Sequence, residues 1–502
     1  MKVTKGIVLK DFEKLKSLAK KGLQKGDYDF SASCVQRAAN LMYNSNLRYK
    51  DDELESDLEI ISRRLFPQMP PVERGGDKKR LVFYDFFALD NRGLTEQYLE
   101  ALFDSDYEFF FVACNDGEKS FEIYKKLDAH MVPYVVIKEQ KELLRAALIK
   151  DAIQKFSPDI ILAHTSPSDL AGLVSIKAFE GRAVRYLINI TDHAFWLGTS
   201  VFDFFIEFRN YGFNISKKHR GIPEEKLLPL PYYPIINKDI AFGGFDFDAT
   251  GKKLLFSGGS IYKIQGSPIF LDIVKHVLDK HDDAIFLYLG NGDYSYLDDF
   301  IKSNNFQGRF FYYPERKDIY EVFKRCDLYL NTYPLIGGLM TQYACIAGKV
   351  PITLNENGKT DCNNVDEFLL GKSGVQIQYD TKEACEDAID FYLDNPPVLK
   401  KAGEKVRRDI IDKKTFRKFL LDYLAGKRKF PIQICDYDID IEKFSEPYIA
   451  RFNKDGGKEY CSSFVCRNMD MALAFFKYFI FSDVRRLVRK IFLMTKKRSA
   501  SA

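Results

Sequence analysis

Apolar residues at helical spacing open the chain. Two sets of apolar positions recur at near-helical spacing: Leu9, Phe12, Leu15, Leu18 and Leu23, and then Val35, Ala38, Leu41 and Met42. Spacing of this kind lines one face of a helix with apolar side chains. The pattern predicts a small helical region over residues 1–75, which ends in a linker rich in proline, glycine and charge.

From residue 80 the pattern changes to short, continuous apolar runs separated by amphipathic stretches. The first series of runs is LVFYDFF, YEFFFVAC, YVVIK, DIILAH and VRYLINI. A second series begins near residue 253, with KLLFSG, AIFLYLG, RFFYY, LYLNTY and VPITL. Continuous apolar runs between helices are typical of parallel strands covered on both faces. The chain is predicted to be an α/β protein with two Rossmann-like doubly wound domains, a small N-terminal helical region and C-terminal helices.

The proline-rich stretch LLPLPYYPII separates the two series and serves as an inter-domain connector. We therefore expect the first Rossmann-like domain over residues 80–230, the second over residues 235–425, and a C-terminal tail over residues 426–502. Ligands of such domains bind at the carboxyl ends of the strands, here in a cleft between the domains.

The composition is that of a soluble globular protein, with 46% hydrophobic and 29% charged residues. A net charge of +4 over 502 residues gives no reason to expect a nucleic-acid partner. The nine cysteines show no C-x-x-C spacing, so we expect reduced thiols in a cytoplasmic protein and no metal at Cys461 and Cys466. Neither a signal peptide nor a spanning apolar helix is expected.

The stretch DLYLNTYPLIGGLMTQYACIAGKVPITL, residues 327–354, carries the strongest chemical signal. It reads as a strand, a glycine turn, a helix and a further strand. Gly337 and Gly338 permit close backbone approach, and the following helix offers unpaired N–H groups at its positive end. We expect a diphosphate here, with a hydroxyl bond from Thr341. A glycine pair that merely permits a tight turn is the alternative.

This stretch resembles the donor-diphosphate loop of glycosyltransferases with the GT-B fold, and AGKVPIT is similar to their helix exit. Threonine after paired glycines is closer to the O-GlcNAc transferase-like group than to the large retaining group, which usually carries a glutamate in this helix. The matching position holds Tyr343, and no carboxylate occurs between Pro334 and Gly348. The resemblance implies a nucleotide-sugar donor, and the missing carboxylate argues against a retaining reaction.

The turn LLFSGGSIYKIQGSP, residues 254–268, resembles the GT-B turn in which a basic residue contacts the donor phosphates. Gly258 and Gly259 are expected to bind the donor, and Lys263 to neutralise the departing diphosphate. A solvated lysine is the alternative. Tyr312 and Tyr313 are expected to stack on the nucleotide base, with ordinary packing as the alternative.

The first domain is expected to supply the catalytic group, from RYLINITDHAFWLG. His193 follows a strand, and histidine is the residue type best suited to proton transfer, so it is the predicted general base, with Asp192 orienting it or acting as the base itself. A structural histidine is the alternative. Trp196 is assigned to the acceptor side of the cleft. Arg209 and the run Lys217–Gly221 are expected to lie on a solvated face.

The loop after the first strand of this domain, residues 88–97, is where GT-B enzymes usually admit the acceptor. Asp90 is the second candidate base, and a plain turn is the alternative. The expected acceptor-loop residues are Asn91, Arg92 and Gly93.

The tail contains a predicted basic amphipathic helix. Its apolar positions are Val484, Leu487, Val488, Ile491 and Phe492. Such a helix is suited to an anionic membrane surface, and we expect peripheral contact through residues 470–498. A helix packed back on the first domain is the alternative.

Together these patterns predict a metal-free, inverting glycosyltransferase that moves a hexose from a nucleotide-sugar, expected to be a UDP-sugar. The expected acceptor is a glycan or lipid-linked glycan of bacterial surface polysaccharide, reached at the inner face of the cell membrane. Two alternatives stay open for the fold: a non-catalytic GT-B subunit that binds glycan or a partner transferase, and an epimerase or hydrolase of sugar nucleotides. Recruitment of a protein acceptor by the N-terminal helices is a third.

Overall fold

A computed structural model describes most of the chain. The described residues are 2–67, 78–89, 94–103, 105–114, 121–237, 239–265, 267–365, 374–428, 434–454, 456–464 and 469–478. The predicted acceptor-loop residues Asp90, Asn91, Arg92 and Gly93 lie outside them, as do most of the predicted linker and the tail beyond residue 478.

Seven parallel strands form the first sheet, in the order β3-β2-β1-β4-β5-β6-β7. The strands are β1 Arg80–Asp85, β2 Glu108–Ala113, β3 Tyr134–Val136, β4 Ile160–His164, β5 Val184–Asn189, β6 Phe204–Glu207 and β7 Leu227–Pro229. The helices up to this point are α1 Lys5–Lys25, α2 Tyr28–Ser45, α3 Asp52–Leu65, α4 Thr95–Phe103, α5 Phe121–Ala129, α6 Glu142–Phe156, α7 Leu170–Lys177 and α8 Asn210–Lys218.

Six parallel strands form the second sheet, in the order β10-β9-β8-β11-β12-β13. The strands are β8 Lys253–Gly258, β9 Ala284–Leu289, β10 Phe310–Tyr313, β11 Leu328–Leu330, β12 Pro351–Leu354 and β13 Gln378–Tyr379. The remaining helices are α9 Ile269–Lys280, α10 Ser295–Asn304, α11 Ile319–Arg325, α12 Gly338–Ile346, α13 Lys382–Asp394, α14 Pro396–Arg407, α15 Lys413–Leu424, α16 Ile441–Lys454, α17 Lys458–Ser462 and α18 Met469–Ala474.

Burial explains why these runs form parallel strands. Every residue of β4 and of β9 is buried, so neither strand has a polar face to turn to solvent. Helices must then cover both faces of each sheet, which the crossover connections between parallel strands provide. The predicted α/β class with two Rossmann-like doubly wound domains is confirmed.

The order of strands reverses once in each sheet. In the first sheet the reversal lies between β1 and β4, and in the second between β8 and β11. At such a point the loops from neighbouring strands leave in opposite directions and open a crevice for a ligand. These two crevices are the places where a binding site is expected.

The N-terminal helices belong to the core of the first domain. Leu58 and Ile61 of α3 share one apolar cluster with Val174 of α7. The carboxylate of Glu55 accepts hydrogen bonds from the N–H groups of Gly198 at 2.8 Å and Ser200 at 3.0 Å. Removing this region would expose apolar surface and leave a loop of the first domain without its acceptor.

The C-terminal helices return to the first domain. The Tyr423 hydroxyl in α15 donates to the Pro229 carbonyl at the end of β7, over 2.7 Å. Further along, the hydroxyls of Tyr460 and Tyr478 each donate to Asp11 of α1 over 2.7 Å. The described part of the tail is thus packed on the N-terminal helices. Among the described residues, no helix is both long enough and apolar enough to span a membrane.

Candidate functional site

The strand reversal of the second sheet brings two glycine-containing loops together. One loop follows β8 and contains Gly258, Gly259 and Lys263, and the other follows β11 and ends in Gly337. Their contact is direct: the Lys263 Nζ donates to the Ile336 carbonyl over 3.0 Å, and the Leu335 N–H donates to the Lys263 carbonyl over 3.3 Å. We call this pair of loops the glycine crevice.

Close backbone contacts explain the glycines of the first loop and Gly290, which lies in the loop after β9. A methyl group on Gly290 would lie 1.8 Å from the Gly259 carbonyl oxygen, and one on Gly258 would lie 2.9 Å from the Leu289 oxygen. Gly259 also has a φ of 145°, which side chains disfavour. The Tyr288 hydroxyl fixes the same peptide by donating to the Gly259 carbonyl over 2.8 Å. The loop after β9 is therefore a third wall of the crevice.

Asn331 holds the second loop in shape. Its Oδ1 accepts the N–H groups of Gly337 and Thr332, each at 3.0 Å, and its Nδ2 donates to the Thr341 hydroxyl over 2.9 Å. Only 1% of Asn331 is exposed, so these bonds form away from water. Asn363 adds a brace from outside the loop, accepting the Ile336 N–H at 3.2 Å.

Helix α12 begins at the crevice without a cap. Gly337 holds the capping position and has no side chain that could make the usual capping hydrogen bond. Its first-turn N–H groups therefore have no intrahelical acceptor and carry the positive end of the helix dipole. Such a terminus is suited to an anion with several oxygen acceptors.

Lys263 adds a full positive charge to this site. Burial lowers the pKa of Lys263, and no carboxylate of the described residues forms an ion pair with it. A desolvated ammonium without a counter-ion is unfavourable, and a bound anion would restore its charge balance. The structure thus brings together Gly258, Gly259, Lys263, Gly337 and Gly338.

Thr341 lies in the same place but has a different partner. Its side chain is fully buried, and its hydroxyl donates to the Gly337 carbonyl over 2.9 Å while accepting from Asn331. The hydroxyl proton is therefore used inside the helix. A bond from Thr341 to a phosphate oxygen requires this internal bond to break.

Tyr312 and Tyr313 lie beside the third wall of the crevice, where the Tyr313 carbonyl accepts the Gly290 N–H at 2.9 Å. Both end β10, which is the edge strand and is separated from β11 by β9 and β8. The Tyr312 hydroxyl donates to Asp298 and its ring stacks on Tyr294 at 4.7 Å, while the Tyr313 hydroxyl donates to Asp246. Both hydroxyls are thus engaged with carboxylates, and stacking of these rings on a nucleotide base stays a prediction.

In the first domain, Asp192 is the partner of an arginine. It accepts from Arg209 Nε at 2.6 Å and from Arg209 Nη2 at 2.9 Å. Burial acts to raise the pKa of Asp192, but the Arg209 guanidinium outweighs burial and holds it well below its usual range. His193 is the accessible member of the pair: its side chain is 37% exposed, and its Nδ1 lies 3.4 Å from Asp192 Oδ1.

The expectation that Arg209 and the Lys217–Gly221 run form a solvated face is wrong for two arginines. Arg209 is 6% exposed and Arg220 is 1% exposed. Arg220 donates to the carbonyls of Asp192 at 3.0 Å and Ala194 at 2.7 Å, which accounts for its burial. The composition of the run does not show this difference. Its two lysines, Lys217 and Lys218 of α8, do pair with the exposed Asp436.

Trp196 packs inside the first domain. It is 3% exposed, its ring lies 5.8 Å from the Phe205 ring, and the Arg220 guanidinium sits 4.8 Å above it. In this position the indole supports the loop that carries His193 and does not line the cleft. The other predicted acceptor residues, 90–93, lie outside the described residues.

A second polar pair occupies the strand reversal of the first sheet. Asp85 ends β1 and His164 ends β4, and the His164 Nδ1 lies 3.1 Å from Asp85 Oδ1 with both side chains fully buried. Asp85 also accepts the N–H groups of Phe87 and Ala88, each at 2.9 Å. The pair fixes the start of the predicted acceptor loop.

Sequence reasoning missed Asn331, Asn363, Asp85 and His164. His164 and Asp85 carried a usable signal, because they are polar residues at the ends of otherwise apolar strands. Asn331 could have been found by asking which acceptor takes the N–H of the glycine turn. Nothing in the sequence marks Asn363, which is 27 positions from its partner Ile336.

Comparison with known proteins supports the fold at low identity. No protein-family model matches the chain, and no curated protein matches it by sequence. Among solved structures, an O-GlcNAc transferase mutant from Thermobaculum terrenum is 16% identical, with a TM-score of 0.52 over 84% of this chain and 81% of that one. HepE from Anabaena in complex with UDP is 13% identical, with a TM-score of 0.53 over 69% of this chain and 100% of that one.

A third similar structure is a putative UDP-N-acetylglucosamine 2-epimerase from Listeria monocytogenes. It is 11% identical, with a TM-score of 0.51 over 72% of this chain and 100% of that one. Together these likenesses show that the chain has the GT-B fold inferred from its glycine turn. Since the fold hosts both transferases and epimerases, it does not choose the reaction.

Proposed function

We propose that this protein is an inverting glycosyltransferase that uses a UDP-sugar and binds its diphosphate in the glycine crevice. The observation that carries the proposal is the half-buried ammonium of Lys263, which has no carboxylate partner among the described residues and lies beside the start of α12. A diphosphate supplies the negative charge that this ammonium lacks and the acceptors that the helix N–H groups lack.

The reaction we propose is a direct displacement. The oxygen of an acceptor hydroxyl bonds to the anomeric carbon, the bond from that carbon to the diphosphate oxygen breaks, and the nucleoside diphosphate leaves with the electron pair. His193 takes the acceptor proton, since it is exposed at the end of the first sheet while Asp192 is committed to Arg209. Lys263 stabilises the charge that develops on the leaving group, so no metal is proposed.

The acceptor we propose is a glycan or lipid-linked glycan of bacterial surface polysaccharide, reached from the cytoplasm at the inner face of the membrane. In support of membrane contact, Leu473 and Phe476 are 63% and 55% exposed although both are large and apolar. Two exposed apolar residues three positions apart on one helical stretch suit an interfacial location. Association with vesicles of anionic lipid tests this part separately.

Binding of UDP by calorimetry tests the donor site. We expect the protein to bind UDP, and Lys263→Met to weaken that binding at least tenfold, because a charge-assisted bond contributes about 1.5–3 kcal/mol. Lys252→Met, at an exposed position near β8, is the matched control and should bind normally. Failure of the wild-type protein to bind any uridine nucleotide would support the non-catalytic alternative.

Product analysis separates the transferase from its enzymatic rival. The epimerase alternative is favoured by a specific observation, the similarity to the putative 2-epimerase. A transferase should release UDP only when an acceptor glycan is present, and its activity should persist in EDTA. Epimerised UDP-sugar formed without any acceptor would overturn the proposed transfer.

A further inference from the structure

Arg209 touches both domains through one guanidinium. It precedes α8 in the first domain, where Nε and Nη2 form a two-point pair with the carboxylate of Asp192, at 2.6 and 2.9 Å. On the other side, Nη1 donates to the carbonyls of Cys362 at 2.7 Å and Asn364 at 3.3 Å. Those carbonyls belong to the second domain, on the segment after β12.

That segment is the one that braces the glycine crevice. Asn363 lies between the two carbonyls and accepts the Ile336 N–H at 3.2 Å, while its Nδ2 donates to the Pro334 carbonyl over 2.6 Å. The Ile336 carbonyl in turn accepts from Lys263. Hydrogen bonds on either side of the covalent backbone of residues 362–364 therefore join Asp192 to the proposed diphosphate site.

The geometry leaves Arg209 little freedom to adjust. The guanidinium is planar, so its donors keep fixed directions, and the rings of Phe208 and Tyr211 lie 5.2 and 4.9 Å from it. Asp192 is fully buried and cannot exchange the arginine for water. A shift of the 362–364 carbonyls must move the guanidinium, and with it the carboxylate that faces His193 Nδ1.

We infer that Arg209 is a positioning residue that couples occupation of the diphosphate site to the orientation of His193, an inference that rests on the proposed function. Nucleotide binding at Lys263 and the turn over residues 334–337 acts on Asn363. Arg209 passes that displacement to Asp192, which sets the imidazole for the acceptor. The coupling makes proton removal efficient only when a donor is in place.

The imidazole signal of His193 in NMR spectra of the full-length protein, assigned by its loss in His193→Gln, reports the coupling. We expect UDP to shift this signal in the wild-type protein. Arg209→Lys keeps the buried positive charge but cannot reach Asp192 and both carbonyls at once. In that variant UDP should still bind, within about tenfold of the wild-type affinity, while the response of His193 is lost.

Two further variants keep the outcome interpretable. Arg185→Lys alters another buried arginine with a two-point aspartate pair, Nε and Nη2 to Asp203 at 3.1 and 2.8 Å, and should preserve the response. Asn363→Ala cuts the same path without touching a buried charge, and should abolish the response as Arg209→Lys does. The coupling is overturned if UDP binds Arg209→Lys and Asn363→Ala and still shifts His193. A wild-type protein that binds no UDP overturns the proposed function as well.

Discussion

At the scale of single residues, the surroundings of Lys263 favour the binding of an anion over the stability of the unliganded protein. Its ammonium is partly removed from water and has one carbonyl acceptor, Ile336. Buried charges of this kind usually destabilise the empty protein and are retained because a ligand completes them. The role of Lys263 can therefore be tested by the stability of the unliganded protein as well as by nucleotide binding.

Replacing Lys263 with methionine tests that balance. We expect the melting temperature of the unliganded protein to stay unchanged or rise by about 2 °C, because a half-buried charge without a carboxylate partner is removed. The increase in melting temperature that UDP gives the wild-type protein should disappear. Differential scanning calorimetry with and without UDP measures both effects. A large loss of stability without ligand would mean that Lys263 is a structural residue.

Glu207 should make stability depend on pH. Burial raises the pKa of Glu207 to about 7 from its ordinary value of 4.5, and its carboxyl accepts from Asn189 and Ser216. The folded state therefore holds a proton that the unfolded state has lost between pH 4.5 and pH 7. The stabilisation is complete below that window and is lost as the pH rises through it.

Glu207→Gln removes this titration. Relative to the variant, the wild-type protein should lose up to about 3 kcal/mol of unfolding free energy between about pH 5 and pH 8. Urea unfolding at several pH values gives the unfolding free energy of both proteins as a function of pH. The two slopes are compared, so a constant destabilisation by the amide does not affect the result. Glu225→Gln, at an exposed position, should follow the wild-type curve. Parallel curves for Glu207→Gln and wild type would mean that Glu207 is ionised throughout.

How far these residues could be predicted depended on the distance to their partners. The glycine turn and Lys263 were recognisable because their signals lie within a few positions of a strand end. Arg209 was misjudged because its partners, Asp192 and the 362–364 carbonyls, are 17 and more than 150 positions away. A sequence shows the charge of such a residue, but only the fold shows whether a carboxylate pairs with it.

At the scale of elements, the crevice uses glycine for two different reasons. At Gly290 the reason is internal, since a methyl group there would lie 1.8 Å from the Gly259 oxygen. A methyl group on Gly337 would have its nearest neighbour in Met340, at 3.4 Å, and the φ of −107° at Gly337 suits any residue. The protein itself leaves room for a methyl group at Gly337, so an effect of a side chain there is expected only on the open side of the turn.

Alanine substitutions should separate the two reasons. Gly337→Ala is expected to melt within about 2 °C of the wild type and to bind UDP at least about fivefold more weakly, because the methyl group occupies space beside the helix start. Gly290→Ala should lower the melting temperature by more than about 4 °C, because backbone must move. Thermal unfolding and calorimetric titration of both variants provide the measurements. Normal UDP binding by Gly337→Ala would remove the turn from the donor site.

Elements also show where sequence periodicity is informative. The buried runs predicted parallel strands because both faces of each strand are covered, as in β4 and β9. Periodicity did not predict that α15 crosses to the first domain, since an apolar helix face does not identify its partner. The partner of α15 becomes visible only in the fold, through the hydrogen bond from Tyr423 to Pro229, which are 194 positions apart.

At the scale of the whole molecule, the N-terminal helices are part of the domain that carries His193, the proposed base. Besides the bonds from Glu55, the side chain of Asn46 donates to the His193 carbonyl over 3.2 Å, and the Tyr49 hydroxyl lies 3.4 Å from the same oxygen. Deletion of residues 1–75 would therefore damage the fold and the His193 loop together. A protein-recruiting role for this region needs a test that leaves the region in place.

Substitution of Glu55 tests how the N-terminal helices are joined to the first sheet while leaving those helices in place. Its carboxylate accepts from the N–H groups of Gly198, Thr199 and Ser200 and from the Ser200 hydroxyl, at 2.7–3.1 Å. Glu55→Gln keeps the shape but removes the charge and turns one acceptor into a donor that faces N–H groups. We expect a loss of about 2–4 kcal/mol of unfolding free energy.

The thermal unfolding curve of Glu55→Gln distinguishes two architectures. If the helices and the first sheet form one core, circular dichroism should show a single transition of that domain moving to lower temperature in Glu55→Gln. Glu59→Gln, one turn further along α3 and partly exposed, should move it little because Glu59 pairs with the exposed Arg63 and, more distantly, with the Lys177 amine. An independent helical cap would instead melt in a transition of its own, and the main transition would stay where it is. Because Glu55 is bonded to the loop that leads on from His193 and Trp196, we also expect Glu55→Gln to lower kcat more than it changes the affinity for UDP.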